Sequence, residues 1–319
     1  MEPGTQDLPP VGNERLQQLF IKLLKIFGVL VVAFLIIYTF GQRTNHATAP
    51  STNDAAVTTA EAAVRANPNN VDSRIALADA YLKVGRQDDA LGQLNELLKA
   101  DGKNLSALMG AASIYYDKGE FDSAKKDLLT YVSIAKVGEF ASGDSQLERA
   151  YFMLGDIAET QKDYASAAAL FANAVGVKST DADAWFRLGR MRNEIKDYKG
   201  AAEAFSRALA FVPEGWCDPY AGLKDAYTGA KNAEGEKYAS SMVDICGGAG
   251  LSAAAPLESL TKGTFKLQAF LGLGLAAEHD KAYAKALSYY KQATAIDPAN
   301  IIAVNAITRI NTIAPTPSA

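Results

Sequence analysis

Histidine and cysteine are nearly missing from this chain, with two of each in 319 residues. A catalytic or metal site needs several titrating or ligating groups brought together, and His46 and His279 stand apart with no partner at ligand spacing. Neither Cys217 nor Cys246 belongs to a C-x-x-C element, so the common redox, zinc and haem-attachment signatures are absent. Gly272 and Gly274 have no strand before them, which excludes a phosphate loop and leaves close helix packing as their reading. No basic patch or arm exists either: Lys and Arg are interleaved with Asp and Glu, and the net charge is only −4. Nucleic acid is therefore not an expected partner, no metal or cofactor is expected, and the chain does not read as an enzyme. Period-two alternation is lacking, while Ala, Leu, Lys, Glu and Gln dominate the periodic segments, so the expectation is an all-α chain.

What the chain does have is self-similarity. "KDYASAAALF" at 162–171 and "KDYKGAAEAF" at 196–205 are near copies whose first residues lie 34 positions apart. A frame of that length beginning at Ala182, with Trp185 as position 4, collects Leu188 and Gly189 at 7 and 8, Ala201 at 20, Phe205 at 24, Ala208 at 27 and Pro213 at 32. The frame from Glu148 collects Tyr151, Leu154, Gly155, Ala167, Phe171 and Ala174, and the one from Leu267 collects Phe270, Leu273, Gly274, Ala286, Tyr290, Ala293 and Pro298. Looser frames start at Val71 and Leu105, and a degenerate unit runs from Cys217 to about Gly247, recognisable by Leu223 and Tyr227. Position 17 is aromatic in four frames, through Phe121, Tyr164, Tyr198 and Tyr283. The pattern resembles the tetratricopeptide repeat, W-x2-L-G, A-x3-F, P, over roughly residues 56–312.

That resemblance implies a right-handed solenoid of about five to six helical hairpins over 58–313, closed by capping helices at "AAVTTAEAAVRANP" and "IIAVNAITRINTI". Small residues at 8 and 20 let the helices of a hairpin approach, and large ones fill the groove between neighbours. Two insertions, near 135–147 and 248–266, are expected to map to one rim. In the family the first helices line a groove through positions 2, 5, 9 and 12. Here these offer Ile75, Asp79, Met109, Tyr116, Phe152, Asp156, Phe186, Arg190 and Asn193 as candidates for holding a protein segment. The alternative for Phe152 and Phe186 is packing against the neighbouring hairpin. Members that clamp chaperone tails carry Lys and Asn where this chain has Ile75 and Asp79, so that role is not implied.

One long apolar run stands out, "IFGVLVVAFLIIYTF" from Ile26 to Phe40, and counting from Lys22 to Gly41 gives a stretch long enough to span a bilayer. The expected layout is a short N-terminal segment at 1–20, a single transmembrane helix at 21–41, a flexible linker at 42–57, the solenoid and a disordered tail at 314–319. A cleaved secretory signal is the alternative, with "ATA" at 47–49 as its cleavage site and Pro50 against it. The linker's residues would reach about 20–24 Å. Arg15, Lys22 and Lys25 precede the span and only Arg43 follows closely, so the N-terminus is expected in the cytoplasm and the repeats across the inner membrane, in the periplasm. Cys217 and Cys246 would sit at adjoining ends of one antiparallel hairpin, within reach of a disulfide, the alternative being two buried thiols. The expected function is a membrane-anchored adaptor that binds partner-protein segments and assists assembly, secretion or maturation of envelope proteins; a constitutive structural subunit of a membrane complex is the second reading. Oligomeric state is left open.

Overall fold

The computed structural model describes residues 13–44, 52–138, 141–211 and 216–314; within its first helix, side chains are described from residue 19 to 34. Every regular element among these residues is helical. The chain divides into two compact units, Met1–Arg86 and Gln87–Ala319.

The first unit holds α1 (Asn13–Thr44), α2 (Thr52–Ala66) and α3 (Val71–Lys83). Helices α2 and α3 pack on each other and bury Val57, Leu77 and Ala78. Tyr81 Oη donates to Glu61 Oε1 at 2.9 Å, and the Arg86 guanidinium lies 4.3 Å above the Tyr81 ring. The linker expected at 42–57 is shorter than its composition suggested. Residues 42–44 finish α1, and α2 already starts at Thr52, with Asp54 in its first turn where a carboxylate complements the helix dipole. Thr58 and Thr59, inside the segment expected to be a capping helix, turn their hydroxyls back onto the carbonyls of Asp54 and Ala55. His46 lies outside the described residues, as do Pro213 and the tail from 315.

Every described side chain of α1, from Leu19 to Phe34, is exposed. Among the described residues no helix is long and apolar enough to cross a membrane. The α1 backbone covers the expected span at 21–41, but the transmembrane expectation gains no support here.

The second unit starts with α4 (Gln87–Ala100) and continues as antiparallel hairpins: α5 (Leu105–Asp117) with α6 (Phe121–Ala135), α7 (Ser145–Thr160) with α8 (Tyr164–Val177), and α9 (Ala182–Glu194) with α10 (Tyr198–Phe211). Then follow α11 (Asp218–Gly229) with α12 (Ala233–Asp244), a short α13 (Ala255–Leu260), α14 (Lys266–His279) with α15 (Tyr283–Ile296), and a closing α16 (Ile301–Ile313). Three of these pairs, α7–α8, α9–α10 and α14–α15, close on one contact. A methyl group added at Gly155 would lie 2.8 Å from the Phe171 ring, at Gly189 2.8 Å from Phe205, and at Gly274 2.6 Å from Tyr290. Position 8 is thus glycine because the position-24 ring lies flat on its backbone. The three rings are almost wholly buried, each worth about 1.5–3 kcal/mol of apolar burial. Alanines at position 20, namely Ala90, Ala124, Ala167, Ala201 and Ala286, have no exposure at all. Phe205 is also met from the other side by Gly222 of α11, so the same ring joins two successive units.

The turns inside the hairpins repeat to the residue. Position 15 is left-handed in every frame, as Gly85 and Gly119 and then as Lys162, Lys196, Lys231 and Lys281, the lysines with φ of 55–62°. The next residue donates its N–H to the carbonyl five residues back, for example Asp163 to Ala158 at 2.9 Å and Asp197 to Arg192 at 2.8 Å, which satisfies the frayed helix end in a Schellman motif. Three of these residues then cap the following helix: Asp163, Asp197 and Asn232 accept from the backbone of Ser166, Gly200 and Gly235. The "KD" that opens both decamers is therefore one device, a left-handed stop followed by an N-cap start.

The insertion at 245–265 is not a rim loop. It winds through a π turn (Ile245–Ala249) and a 3-10 turn (Gly250–Ala253) into α13, and buries Ala254, Leu257 and Leu260 in the core. Asp280 Oδ2 accepts from Leu251 N at 3.0 Å and pins the turn to the end of α14. At its start Cys246 is bonded to Cys217, with Cα atoms 5.7 Å apart. The disulfide joins the entrance and exit of the α11–α12 hairpin, as expected from antiparallel geometry. The earlier insertion packs Ala141 against the α5–α7 core, and Asp144 caps α7 through Gln146 N and Leu147 N.

Gly155→Ala is expected to destabilise the second unit by about 1–2 kcal/mol, the overpacking cost outweighing the gain in helix propensity, whereas Gly176→Ala in the open last turn of α8 stabilises it by about 0.5 kcal/mol. Lys196→Gly releases a left-handed non-glycine residue and should add about 0.5–1 kcal/mol. Urea unfolding followed by circular dichroism measures all three, and equal shifts for Gly155→Ala and Gly176→Ala would remove the ring contact as the cause.

Candidate partner-binding face

The first helices of successive hairpins, α5, α7, α9 and α11, are joined side to side, α5 to α7 and α9 to α11 through direct packing. Polar bonds run across them, several from positions expected to line the groove. Tyr116 Oη on α5 donates to Asp156 Oδ2 on α7 at 2.9 Å. Asp156 also faces Arg187 of α9 at 3.4 Å, and Arg187 Nη1 donates to Glu159 Oε2 at 3.0 Å. Arg190 reaches the other oxygen of Glu159, also at 3.0 Å. One helix further on, Asn193 Nδ2 donates to the Gly222 carbonyl of α11 at 3.1 Å, while its Oδ1 is buried without a partner.

The electrostatics follow from half-burial. Burial pushes the Tyr116 hydroxyl up to about 12, and the carboxylate that accepts its proton pushes the same way. Burial works against charge on Arg187, but the carboxylates of Asp156, Glu159 and Asp183 outweigh it and raise its pKa. Asp183 is raised by its own burial in spite of Arg187. The result is a guanidinium held permanently charged among acids that it orients, an arrangement that offers fixed hydrogen-bonding groups and no proton to exchange near neutrality.

The candidates from the sequence fall into three sets. Tyr116, Asp156, Arg190 and Asn193 belong to the cross-helix ladder. Phe152 sits edge-on to Phe171 at 5.3 Å with Arg187 6.0 Å from its centroid, and Phe186 lies between Phe205 at 5.7 Å and Trp216 at 4.8 Å, so both rings pack and are partly buried. Met109 is only 7% exposed and belongs to the core. Ile75 and Asp79 are on α3 of the first unit, partly buried and exposed respectively. Sequence reading missed Glu159 and Arg187, which organise the ladder, although Glu159 occupies position 12 of its frame. It also missed Gln268, Leu271 and Leu275, which hold positions 2, 5 and 9 in the frame from Leu267. That frame was the signal that finds them. Among the described residues no three His, Cys, Asp or Glu side chains gather as metal ligands.

A family model described as the tetratricopeptide repeat protein 21 C-terminal ARM domain matches residues 55–247, and a second, described as tetratricopeptide repeat, matches 253–301. No curated protein matches the chain. Among solved structures, the C-terminal part of a TPR repeat-containing protein from Cytophaga hutchinsonii is 16% identical with a TM-score of 0.50, over 80% of this chain and 94% of that one. A tetratricopeptide repeat protein from Parabacteroides merdae is 17% identical with a TM-score of 0.44, over 86% and 95%. YrrB, titled a TPR protein with an unusual peptide-binding site, is 18% identical with a TM-score of 0.44, over 79% and 100%. At these identities the likeness is one of fold. Hairpins of one repeated length, closed by a glycine against a ring and matched by the family model over more than half the residues, place the chain in the tetratricopeptide repeat family.

Proposed function

We propose that the chain is a scaffold that holds segments of partner proteins against the α5–α7–α9 face, at the surface of a membrane to which α1 attaches it. The observation that carries the reading is the ladder of Tyr116, Asp156, Glu159, Arg187 and Arg190. Its charges are fixed in place before a partner arrives, which lowers the ordering cost of binding, and Arg190 and Asp183 leave 46% and 58% of their side chains open to contact. Exposed guanidinium beside half-buried aromatic rings is the composition of protein-binding surfaces.

Attachment by α1 is supported by its side chains. Phe20, Phe27, Val29 and Phe34 are each 65–69% exposed, and a helix apolar all round is out of place in water. The side of the membrane rests on the basic residues before the apolar run and on the Cys217–Cys246 disulfide, which persists only in an oxidising compartment. Together these favour the repeats lying outside the cytoplasm of a bacterial cell, serving assembly or maturation of envelope proteins.

A photo-crosslinking residue at 190 is expected to give discrete partner adducts in intact membranes, while one at exposed Lys199 gives few. Arg190→Glu, which touches no core residue, should lower adduct yield at a neighbouring face position such as 183 at least tenfold. Equal adducts at 190 and 199, or no effect of the charge reversal, would overturn the face assignment; a single partner at fixed stoichiometry would make the chain a subunit of a permanent complex. For the compartment, protein quenched in acid directly from cells should resist a maleimide until reduced, and two freely reactive thiols would put the repeats in the cytoplasm.

A further inference from the structure

The second unit contains a cavity of about 770 Å³ between α10, α11, α12, α14 and the start of α16. Its origin is the folded insertion. Helix α14 packs on α13 and the 3-10 turn, and α13 packs on α12, so the insertion stands where a next hairpin would otherwise meet α12. The space left against α11 is walled by aromatic and aliphatic side chains, chiefly Tyr220, Tyr227, Tyr238, Met242 and Leu271, with Trp216 at one side. Its volume falls within the range of about 300–1,000 Å³ typical of small-molecule sites.

The polar groups in the wall define what fits. Arg309 contributes no net charge, because Glu278 takes its Nε and Nη2 in three bonds of 2.8–3.0 Å and also accepts from Tyr290 Oη at 3.1 Å. Gln268 is different. Its Oε1 is buried with no hydrogen-bond partner. A buried amide oxygen without a partner carries the cost of lost hydration until something supplies a donor. Aromatic walls favour a flat ring system by offset or edge contacts, and a charged ligand would meet no counter-charge.

We propose that this cavity binds an uncharged aromatic molecule bearing a hydroxyl group, which lies among Tyr220, Tyr227 and Tyr238 and donates a hydrogen bond to the Gln268 carboxamide. A hydroxyl group can donate to that amide oxygen. This site is separate from the α5–α7–α9 face and does not depend on what that face holds.

The test uses the full chain in lipid nanodiscs with Trp185→Phe, which leaves Trp216 as the sole tryptophan of the two in the sequence. The probe is 2-naphthol, which absorbs where tryptophan emits. Saturable quenching of Trp216 is expected, with 2-methylnaphthalene, the same shape without the hydroxyl, binding about tenfold more weakly, as one hydrogen bond to a buried group warrants. Gln268→Leu should erase that preference by weakening only 2-naphthol. Ala210→Phe, which places a ring inside the cavity, should weaken both probes at least tenfold while the thermal melt stays put. Quenching that rises linearly without saturation, that is unchanged in Ala210→Phe, or that keeps its hydroxyl preference in Gln268→Leu would overturn the proposal. None of these results bears on crosslinking at 190, so failure here leaves the scaffold reading standing.

Discussion

Close approach of two helices at a glycine is the constraint from which the second unit follows. Where Gly155, Gly189 and Gly274 lack a side chain, the rings of Phe171, Phe205 and Tyr290 lie directly on backbone, and the axial separation of each hairpin is set by the thickness of a ring. Once that separation is fixed, only alanine fits at position 20, and the remaining apolar side chains must find cover on the next hairpin. Phe205, touched by Gly189 from its own unit and Gly222 from the following one, shows how the same contact both closes a unit and passes the stack along. Burial here is local at every step, so stability is a sum of neighbour terms rather than one central core.

The hairpins were legible because their spacing is written in large and small apolar residues, and packing leaves those little freedom. The degenerate unit was legible through Leu223 and Tyr227, and its two cysteines were placed within reach of a bond that the structure contains. Three features escaped. A left-handed lysine carries no compositional mark, so the role of "KD" appears only with the φ values of Lys162 and Lys196. The segment 248–266, rich in Gly, Ala and Ser, reads as a loop, yet Leu257 and Leu260 at helical spacing bury themselves beneath α14. The Thr- and Asn-containing stretch before Val57 reads as a linker, but α2 already starts at Thr52.

The face of α5, α7 and α9 was legible only in part. Positions within a frame predict which side chains share a side, and Tyr116, Asp156 and Arg190 were found that way. They do not predict partners across helices, since these depend on the stagger between units. That is why Arg187, one place off the expected set, turned out to be the residue that three carboxylates surround. The same limitation hid the cavity, whose existence depends on an insertion filling a hairpin's place.

The bond between Cys217 and Cys246 has a mechanical consequence. Tension travelling along a chain fixed at one end and gripped at the other passes from sulfur to sulfur and bypasses everything between them. Helices α11 and α12, the least regular pair in the stack, thus form a closed ring that pulling cannot unravel, and with them two walls of the cavity stay in place while hairpins on either side yield first.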